Sequence, residues 1–316
     1  MKCRKCGETA AINMRQHRLA LCGPHYLEWV PEQTQRTIER YHMFTPSDRI
    51  LVAVSGGKDS LGLWDVLVGL GYPAEGLYIG LGIDGGVAYS DQSLDRCRSF
   101  AAGRGLRLHT VDVPTELGAS IPEAARLTHR GQQKPCSVCG LTKRHEMNRL
   151  ALEGGFAVLA TGHNLDDEAA VLFGNTLSWS VGYLARQGPT LESRPGFARK
   201  VKPFCRLLER ETAAYALLRK IDYVYDECPY AEGATTLAHK DLLNRLEAER
   251  PGAKLSFYLS FLRAREAGAF ALPGPGQPEG GLHPCLSCGQ PTSAPGECTY
   301  CRTRQRVHER RSGSAP

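Results

Sequence analysis

The stretch "RILVAVSGGKDSLGLW", residues 49–64, decides the fold. An apolar, β-branched run ending at Val54 passes through Ser55-Gly56-Gly57-Lys58-Asp59-Ser60 into an amphipathic helical pattern. Gly56 and Gly57 let the backbone turn tightly and approach an anion closely. The amides that open the helix at Asp59 and Ser60 then meet that anion with the positive end of the helix dipole. Lys58 adds a point charge, and the hydroxyls of Ser55 and Ser60 add hydrogen bonds. The pattern is not a Walker A loop, which needs a glycine five residues before the Gly-Lys pair, where this chain has Val52. Taken alone, such a turn is equally an ordinary strand–helix connection.

Outward from this turn, strand-like and helix-like segments alternate from about Arg49 to Glu227. The strand candidates are residues 49–55, 75–83, 106–113, 157–163 and 222–227, and helical patterns cover 60–71, 91–105 and 139–155. Each helical pattern ends at glycine, a common stop. Alternation at this spacing predicts an α/β fold with a doubly wound parallel sheet. A further helical region spans about 235–268. The expected organisation is an N-terminal zinc module (1–27), a catalytic domain (28–271), a Pro/Gly linker "LPGPGQPEGGLHP" (272–284), and a C-terminal zinc module with a basic tail (285–316).

Thirty-nine Lys and Arg against 33 Asp and Glu leave a net charge of +6, a basic excess that permits a polyanionic partner without requiring one. The tail "RTRQRVHERRSGSAP" (302–316) reads either as a solvated, poorly ordered end or as a nucleic-acid contact. "MKCRKCGETA" has no apolar signal core, and no stretch is apolar enough to span a bilayer, so a cytoplasmic protein without membrane contact is expected. In that compartment twelve cysteines read as metal ligands or catalytic thiols rather than disulfides.

Cys3, Cys6, Cys22 and His25 form one closed four-ligand pattern, and Cys285, Cys288, Cys298 and Cys301 form another. Both suit tetrahedral structural zinc, which can fold a module too small for its own core. A third pair, Cys136 and Cys139 in "KPCSVCGLTKRHE" (134–146), has no closing pair nearby. Cys97 and Cys205 read as packed thiols, whereas Cys228 precedes Pro229 at the end of a strand candidate, where ligands of α/β sheets gather. Cys136, Cys139 and Cys228 therefore make a three-thiolate set that suits a 4Fe-4S cluster with one iron free of protein ligands. A packed Cys-x-x-Cys or a redox-active disulfide pair is the plainer alternative.

Ser-Gly-Gly-x-Asp-Ser after the first strand resembles the PP-loop of the ATP pyrophosphatase superfamily, and "TGHNLDDEA" (161–169) is similar to a second signature of its tRNA-modifying branch. "GLGIDG" (80–85) matches a dinucleotide fingerprint, but no helix pattern opens at Gly85, so it reads as a strand end beside the nucleotide. With both Cys-rich ends, the middle pair and "ECPY" (227–230), the chain resembles the TtcA/TtuA family of tRNA thiolation enzymes over nearly its full length. Within that family it is most similar to the members that convert 5-methyluridine at position 54 of the T-loop to its 2-thio form.

The resemblance implies ATP cleaved to AMP and pyrophosphate, with Mg²⁺ on the phosphates. It implies nucleotide contacts at Ala53, Ser55, Gly57, Lys58, Asp59, Ser60, Asp84, Gly162 and Asp167, and catalytic roles for Cys136, Cys139, Cys228, Lys143 and Asp167. It also implies tRNA as substrate, a ubiquitin-like carrier whose C-terminal thiocarboxylate brings sulfur, and a homodimer as a candidate assembly. "RPGFARKVKPFCR" (194–206) is a candidate tRNA surface on which Phe197 or Phe204 stacks a base, or else a solvated loop. Competing readings are thiolation of a wobble uridine or a cytidine, a PP-loop ligase of the lysidine synthetase type, and a zinc-stabilised RNA-binding protein without turnover.

Overall fold

The computed structural model describes residues 1–130, 135–231, 233–270 and 281–313. At the N-terminus β1 (Ile12–Met14) and β2 (Leu19–Leu21) form a hairpin that leads into α1 (Gly23–Arg40). The α/β core follows as β3 (Ile50–Val54), α2 (Lys58–Gly69), β4 (Ala74–Gly80), α3 (Tyr89–Ala102), β5 (Leu108–Asp112), α4 (Val113–Leu117), α5 (Ile121–Thr128), α6 (Cys136–Glu153), β6 (Val158–Thr161) and α7 (Leu165–Leu177). Beyond it lie α8 (Val181–Arg186), β7 (Thr190–Leu191), β8 (Lys200–Val201), α9 (Glu209–Leu218), α10 (Thr235–Glu249) and α11 (Ala253–Glu266). The C-terminal module is a short β9 (His283–Pro284) and β10 (Pro291–Thr292) pair with α12 (Thr299–Ser312).

Six strands form one sheet in the order β5-β4-β3-β6-β8-β7, parallel except for β7 at the edge. The order reverses between β3 and β6, so the chain leaves two neighbouring strands in opposite lateral directions. A crevice opens at their carboxyl ends, the position where open α/β sheets hold ligands. Ala53 pairs with Thr161, which brings the turns starting at Ser55 and Gly162 out of the sheet side by side. Period-two alternation along β3 divides the interior into two layers. Ile50, Val52 and Val54 face the layer that holds Trp64, Tyr26 and Phe204, while Leu51 joins Leu77, Val111 and Leu159 under α5, α6 and α12.

Four of the five expected strands form. Residues 222–227 do not: the place beside β6 is taken by β8, with Leu159 opposite Lys200 and Ala160 opposite Val201. The 222–227 segment runs outside the sheet, and its Val224 amide donates to the Gly56 carbonyl at 2.9 Å. The helical region after 235 breaks at Pro251-Gly252, where Gly252 takes φ +98. Of the linker 272–284, residues 272–280 lie outside the described residues.

Neither end is a free appendage. The expected boundary at 27/28 falls inside α1, and Met14, Leu21, Tyr26 and Trp29 are buried in the main core. The tail is a helix rather than a poorly ordered end as far as it is described. Val307 of α12 is fully buried, Arg311 donates to the Gly118 carbonyl, and the helix packs on α5 and α6. No helix among the described residues is long and apolar enough to cross a membrane.

Candidate active site and metal centres

The turn after β3 is built for close approach. Gly56 has φ +75, and a Cβ there would lie 2.6 Å from the Ser93 carbonyl oxygen, so only glycine fits. Gly57 is the N-cap of α2, whose first amides are those of Lys58, Asp59 and Ser60. Ser60 Oγ accepts the Ser55 amide at 3.1 Å and lies 3.3 Å from Ser55 Oγ, which sets both hydroxyls at the mouth of the turn. Ala53 sits half-buried near the end of β3. Gly162 packs the second signature against the first: a Cβ on it would be 2.8 Å from Asp59 C and O, and 2.9 Å from the Ser60 nitrogen.

An ionic chain locks the two signatures together. Asp59 accepts from Thr212 Oγ1, from Asn164 Nδ2 at 3.2 Å and from Lys58 Nζ at 2.9 Å. Lys58 also reaches Glu209 at 2.8 Å, and Glu209 binds Lys240 at 3.0 Å. Lys240 in turn holds Asp167 at 2.6 Å, while the other Asp167 oxygen accepts the Asn164 amide in a capping box at the start of α7. Burial alone would raise Glu209, but the Lys58 hydrogen bond and the two lysine charges hold it down at about 2. Thr212, Glu209 and Lys240 were not singled out by sequence reading. They come from α9 and α10, far along the chain, and a solitary Lys or Glu in a helical pattern carries no signal of its own.

The middle cysteines converge although the strand expected before Cys228 is absent. Cys136 and Cys139 occupy the first turn of α6, and Lys143 follows Cys139 by four residues on the same face. Cys136 Sγ lies 3.6 Å from the carbonyl oxygen of Tyr230, two residues past Cys228. Burial pushes the Cys139 thiol up, the Lys143 charge opposes that, and Cys228 and Cys136 are close enough to add to the rise. Burial likewise raises the Tyr89 phenol, with Cys228 and Cys139 next among its causes. Asp84 caps its own turn by accepting the Ala88 amide at 3.0 Å, and the adjoining Gly85 leaves room for Pro229. No helix opens at Gly85, since α3 starts only at Tyr89.

Among the described residues the ligand sets drawn within 4.8 Å belong to the two ends, so the trio is more open than a single tetrahedral ion would require. That openness suits a cluster in which each thiolate meets a different iron. Cys97 and Cys205 are buried thiols pushed up to about 12 by burial and remain apart from this set, as expected.

At the N-terminus Cys3, Cys6, Cys22 and His25 bring their ligand atoms within 4.8 Å of one another, with Cys22 Sγ 3.1 Å from His25 Nδ1 and Cys6 Sγ 3.6 Å from Cys22 Sγ. In the C-terminal module Cys288 and Cys298 sulfurs are 3.8 Å apart, and Cys285 Sγ accepts the Cys298 amide at 3.1 Å. Against the penalty of burial, backbone amides pull the Cys3 and Cys285 thiols down to about 6, towards the thiolate form that a metal binds. The C-terminal set within 4.8 Å is Cys288, Cys298, Cys301 and His145, the last from α6.

The candidate tRNA stretch 194–206 needs correction. Phe204 is fully buried in the core and cannot stack on a base. Arg199 donates to the Met43 and His42 carbonyls at 2.7 Å, and Lys202 pairs with Glu168 at 2.7 Å, so much of its charge is already used internally.

Comparison with known proteins agrees with this geometry. A family model described as 2-thiouridine synthetase TtuA, N-terminal LIM domain, matches residues 2–27. The chain is 49% identical over 314 residues to a tRNA-5-methyluridine(54) 2-sulfurtransferase of Thermus thermophilus, covering 98% of this chain and 93% of that one. The namesake from Pyrococcus horikoshii is 43% identical over 302 residues, 96% of this chain and 93% of the relative. Among solved structures, the U34-tRNA thiolase NcsA from Methanococcus maripaludis with its 4Fe-4S cluster superposes with a TM-score of 0.78 at 25% identity over 96% of each chain. With a parallel sheet, a glycine turn at its switch point and a converging cysteine trio, the chain belongs to the tRNA-5-methyluridine(54) 2-sulfurtransferase family.

Proposed function

We propose that this chain exchanges the C2 oxygen of 5-methyluridine 54 in the tRNA T-loop for sulfur, using ATP to make that oxygen a leaving group. The observation that carries this reading is the Val224–Gly56 hydrogen bond: it anchors the chain on the phosphate turn only four residues before Cys228. Four residues span at most about 14 Å, which keeps Cys228 within that reach of the nucleotide turn and supports a shared reaction centre.

Attack of the C2 oxygen on the α-phosphorus forms an oxygen–phosphorus bond and breaks the α–β bridge, releasing pyrophosphate. A sulfur nucleophile then adds at C2, and AMP departs with the original oxygen. The amides of Asp59 and Ser60 and the hydroxyls of Ser55 and Ser60 hold the departing pyrophosphate. Lys58, released from Glu209 by the incoming phosphates, supplies a compensating charge. Asp167, fixed by Lys240 and the Asn164 amide, orients the base or takes its proton. Mg²⁺ bound with the nucleotide would neutralise phosphate charge at this turn.

Cys136, Cys139 and Cys228 fit a 4Fe-4S cluster, which when bound supplies an iron free of protein ligands at which incoming sulfur can be held. Lys143 keeps a positive charge beside those thiolates. Zinc at the two end modules is structural, and the sulfur source is a carrier protein ending in a thiocarboxylate. Identity near one half to the position-54 enzymes, against 25% to the wobble-uridine thiolase, favours position 54.

The test is Cys136→Ser, purified without oxygen and supplied with tRNA, ATP and sulfide. Thiolated nucleoside after tRNA digestion is expected to vanish, while pyrophosphate release dependent on tRNA and the far-UV spectrum are retained. Full thiolation by this variant refutes the assignment of the trio.

A further inference from the structure

We propose that Tyr225 is the platform on which the target base of the tRNA stacks once it is drawn out of its loop, between the phosphate turn and the cysteine trio. The proposal rests on the reaction assigned above. That reaction needs one base to present its C2 oxygen to the α-phosphorus and then its C2 carbon to sulfur. Enzymes that do chemistry on a base take it out of its stack and hold its faces against aromatic or apolar side chains. Such a base needs a flat surface on the span that joins its two reaction partners.

Residues 224–228 form that span. The Val224 amide donates to the Gly56 carbonyl at 2.9 Å, and Cys228 ends the run close to Cys139. Tyr225 follows the anchor by one residue and is 69% exposed, whereas Tyr223 is only 8% exposed. Their rings lie against each other with centroids 4.3 Å apart and planes at 38°. Burial pushes the Tyr223 phenol up, and Tyr225, Lys58 and Asp59 come next among the groups that act on it, so the pair sits near the first turn of α2. A buried ring packed against an exposed one restricts it before any ligand arrives, which lowers the entropy lost on stacking.

The charges around the ring select a base over a phosphate. Asp226 and Glu227 follow Tyr225 and are exposed, while Asp222 is paired with Arg96. Two exposed carboxylates beside the ring repel a phosphate and leave the neutral face of a uracil unopposed. The phosphates of ATP go instead to the amides and the lysine of the turn. A uracil seated on Tyr225 then has the anchored turn one residue away along the chain and Cys228 three residues away in the other direction.

The experiment compares the full-length protein with Tyr225→Ala, Tyr225→Phe and Tyr225→Trp. Binding of tRNA is measured with the non-cleavable α,β-methylene analogue of ATP, and thiolation with ATP and sulfide. Removing a ring from a stacked base should weaken binding between about fivefold and about 150-fold. Tyr225→Ala is expected to show that loss in the Kd and in kcat/KM for tRNA, with the KM for ATP and the unfolding midpoint unchanged. Tyr225→Phe and Tyr225→Trp should recover most of it, because stacking uses the ring and not the hydroxyl. A tRNA lacking the base at position 54 should bind the unsubstituted protein more weakly by the same factor and lose nothing further with Tyr225→Ala. Unchanged tRNA binding in Tyr225→Ala, an equal loss in Tyr225→Phe, a raised KM for ATP in place of weaker tRNA binding, or additive losses with the base-free tRNA each overturns the proposal. Binding is read without turnover, so an unsubstituted protein that binds tRNA but makes no thiolated nucleoside counts against the reaction and not against the stack.

Discussion

Replacing Glu211 by Gln is expected to stabilise the protein, and increasingly so as pH rises. Glu211 lies in the first turn of α9, fully buried beneath the N-terminal module. Its carboxylate accepts from Gln16 Nε2 at 2.6 Å and from the Leu208 amide at 2.7 Å. His17 Nε2 is 3.5 Å away, but burial pushes that imidazole down, so it offers no counter-charge. Burial drives Glu211 up to about 7 from 4.5; the Leu208 amide and Arg210 pull the other way, and Asp166 adds to the rise. A raised folded value means that the stability linked to the proton is fully present below about 4.5 and is lost as pH climbs through about 7. Complete ionisation thus costs about 3 kcal/mol, of which about 2 kcal/mol is lost between about pH 5.5 and about pH 8.5.

Gln keeps one acceptor and Gln16 can rotate its amide, so the substitution itself costs about 1 kcal/mol. Denaturant unfolding of both proteins at matched pH should therefore show near parity at about pH 5.5 and an advantage of about 2 kcal/mol for Glu211→Gln near pH 8.5. Taking the difference cancels the pH dependence of the metal sites. Parallel stability curves, or a variant weaker throughout, would refute a buried carboxylate ionising without a counter-charge.

Three other substitutions probe the reaction centre. Gly56→Ala places a Cβ 2.6 Å from the Ser93 oxygen at φ +75, so unfolding experiments should show a loss of about 2–4 kcal/mol and pyrophosphate release a KM for ATP raised at least about tenfold. Gly162→Ala should spare stability more, by about 1–3 kcal/mol of loss, yet also raise that KM, because the new methyl pushes directly on the backbone of Asp59 and Ser60. Lys240→Met removes a cation from Glu209 and Asp167; with the Glu209 side chain 37% exposed, its stability cost near neutral pH is about 1 kcal/mol. That Glu209 contribution should fade as pH falls from about 4.5 towards about 2, and thiolation by Lys240→Met should drop far more than its stability.

The turn at Ser55–Ser60 was legible because its chemistry and its fold signal coincide: the glycines that admit an anion also end a strand and open a helix. The clustering of cysteines at each end was legible because spacing within a knuckle is local. What local pattern could not show was lateral order. The 222–227 run has strand-like residues, but a sheet position must be vacant for it to pair, and Lys200–Val201 fills the place beside β6 despite being only two residues long. Phe204 looked available for stacking because it sits among basic residues, whereas the core claims it. His145 gave no signal for a related reason: "KRHEM" reads as a helix surface, and its meeting with cysteines 143 or more residues onward depends on how α12 docks.

Helix α6 makes that docking matter to the reaction. At about 100° per residue, Cys136, Cys139 and Lys143 share one face, and His145 falls about half a turn around from them. One face therefore meets Cys228 and the nucleotide crevice while the other meets Tyr300 and the tail cysteines. A helix is stiff along its axis, so movement of the tail module that tilts α6 must also shift the thiols at its N-terminus. Packing the tail module behind the helix that carries Cys136 and Cys139 braces those two thiols without adding any group to the side that faces Cys228.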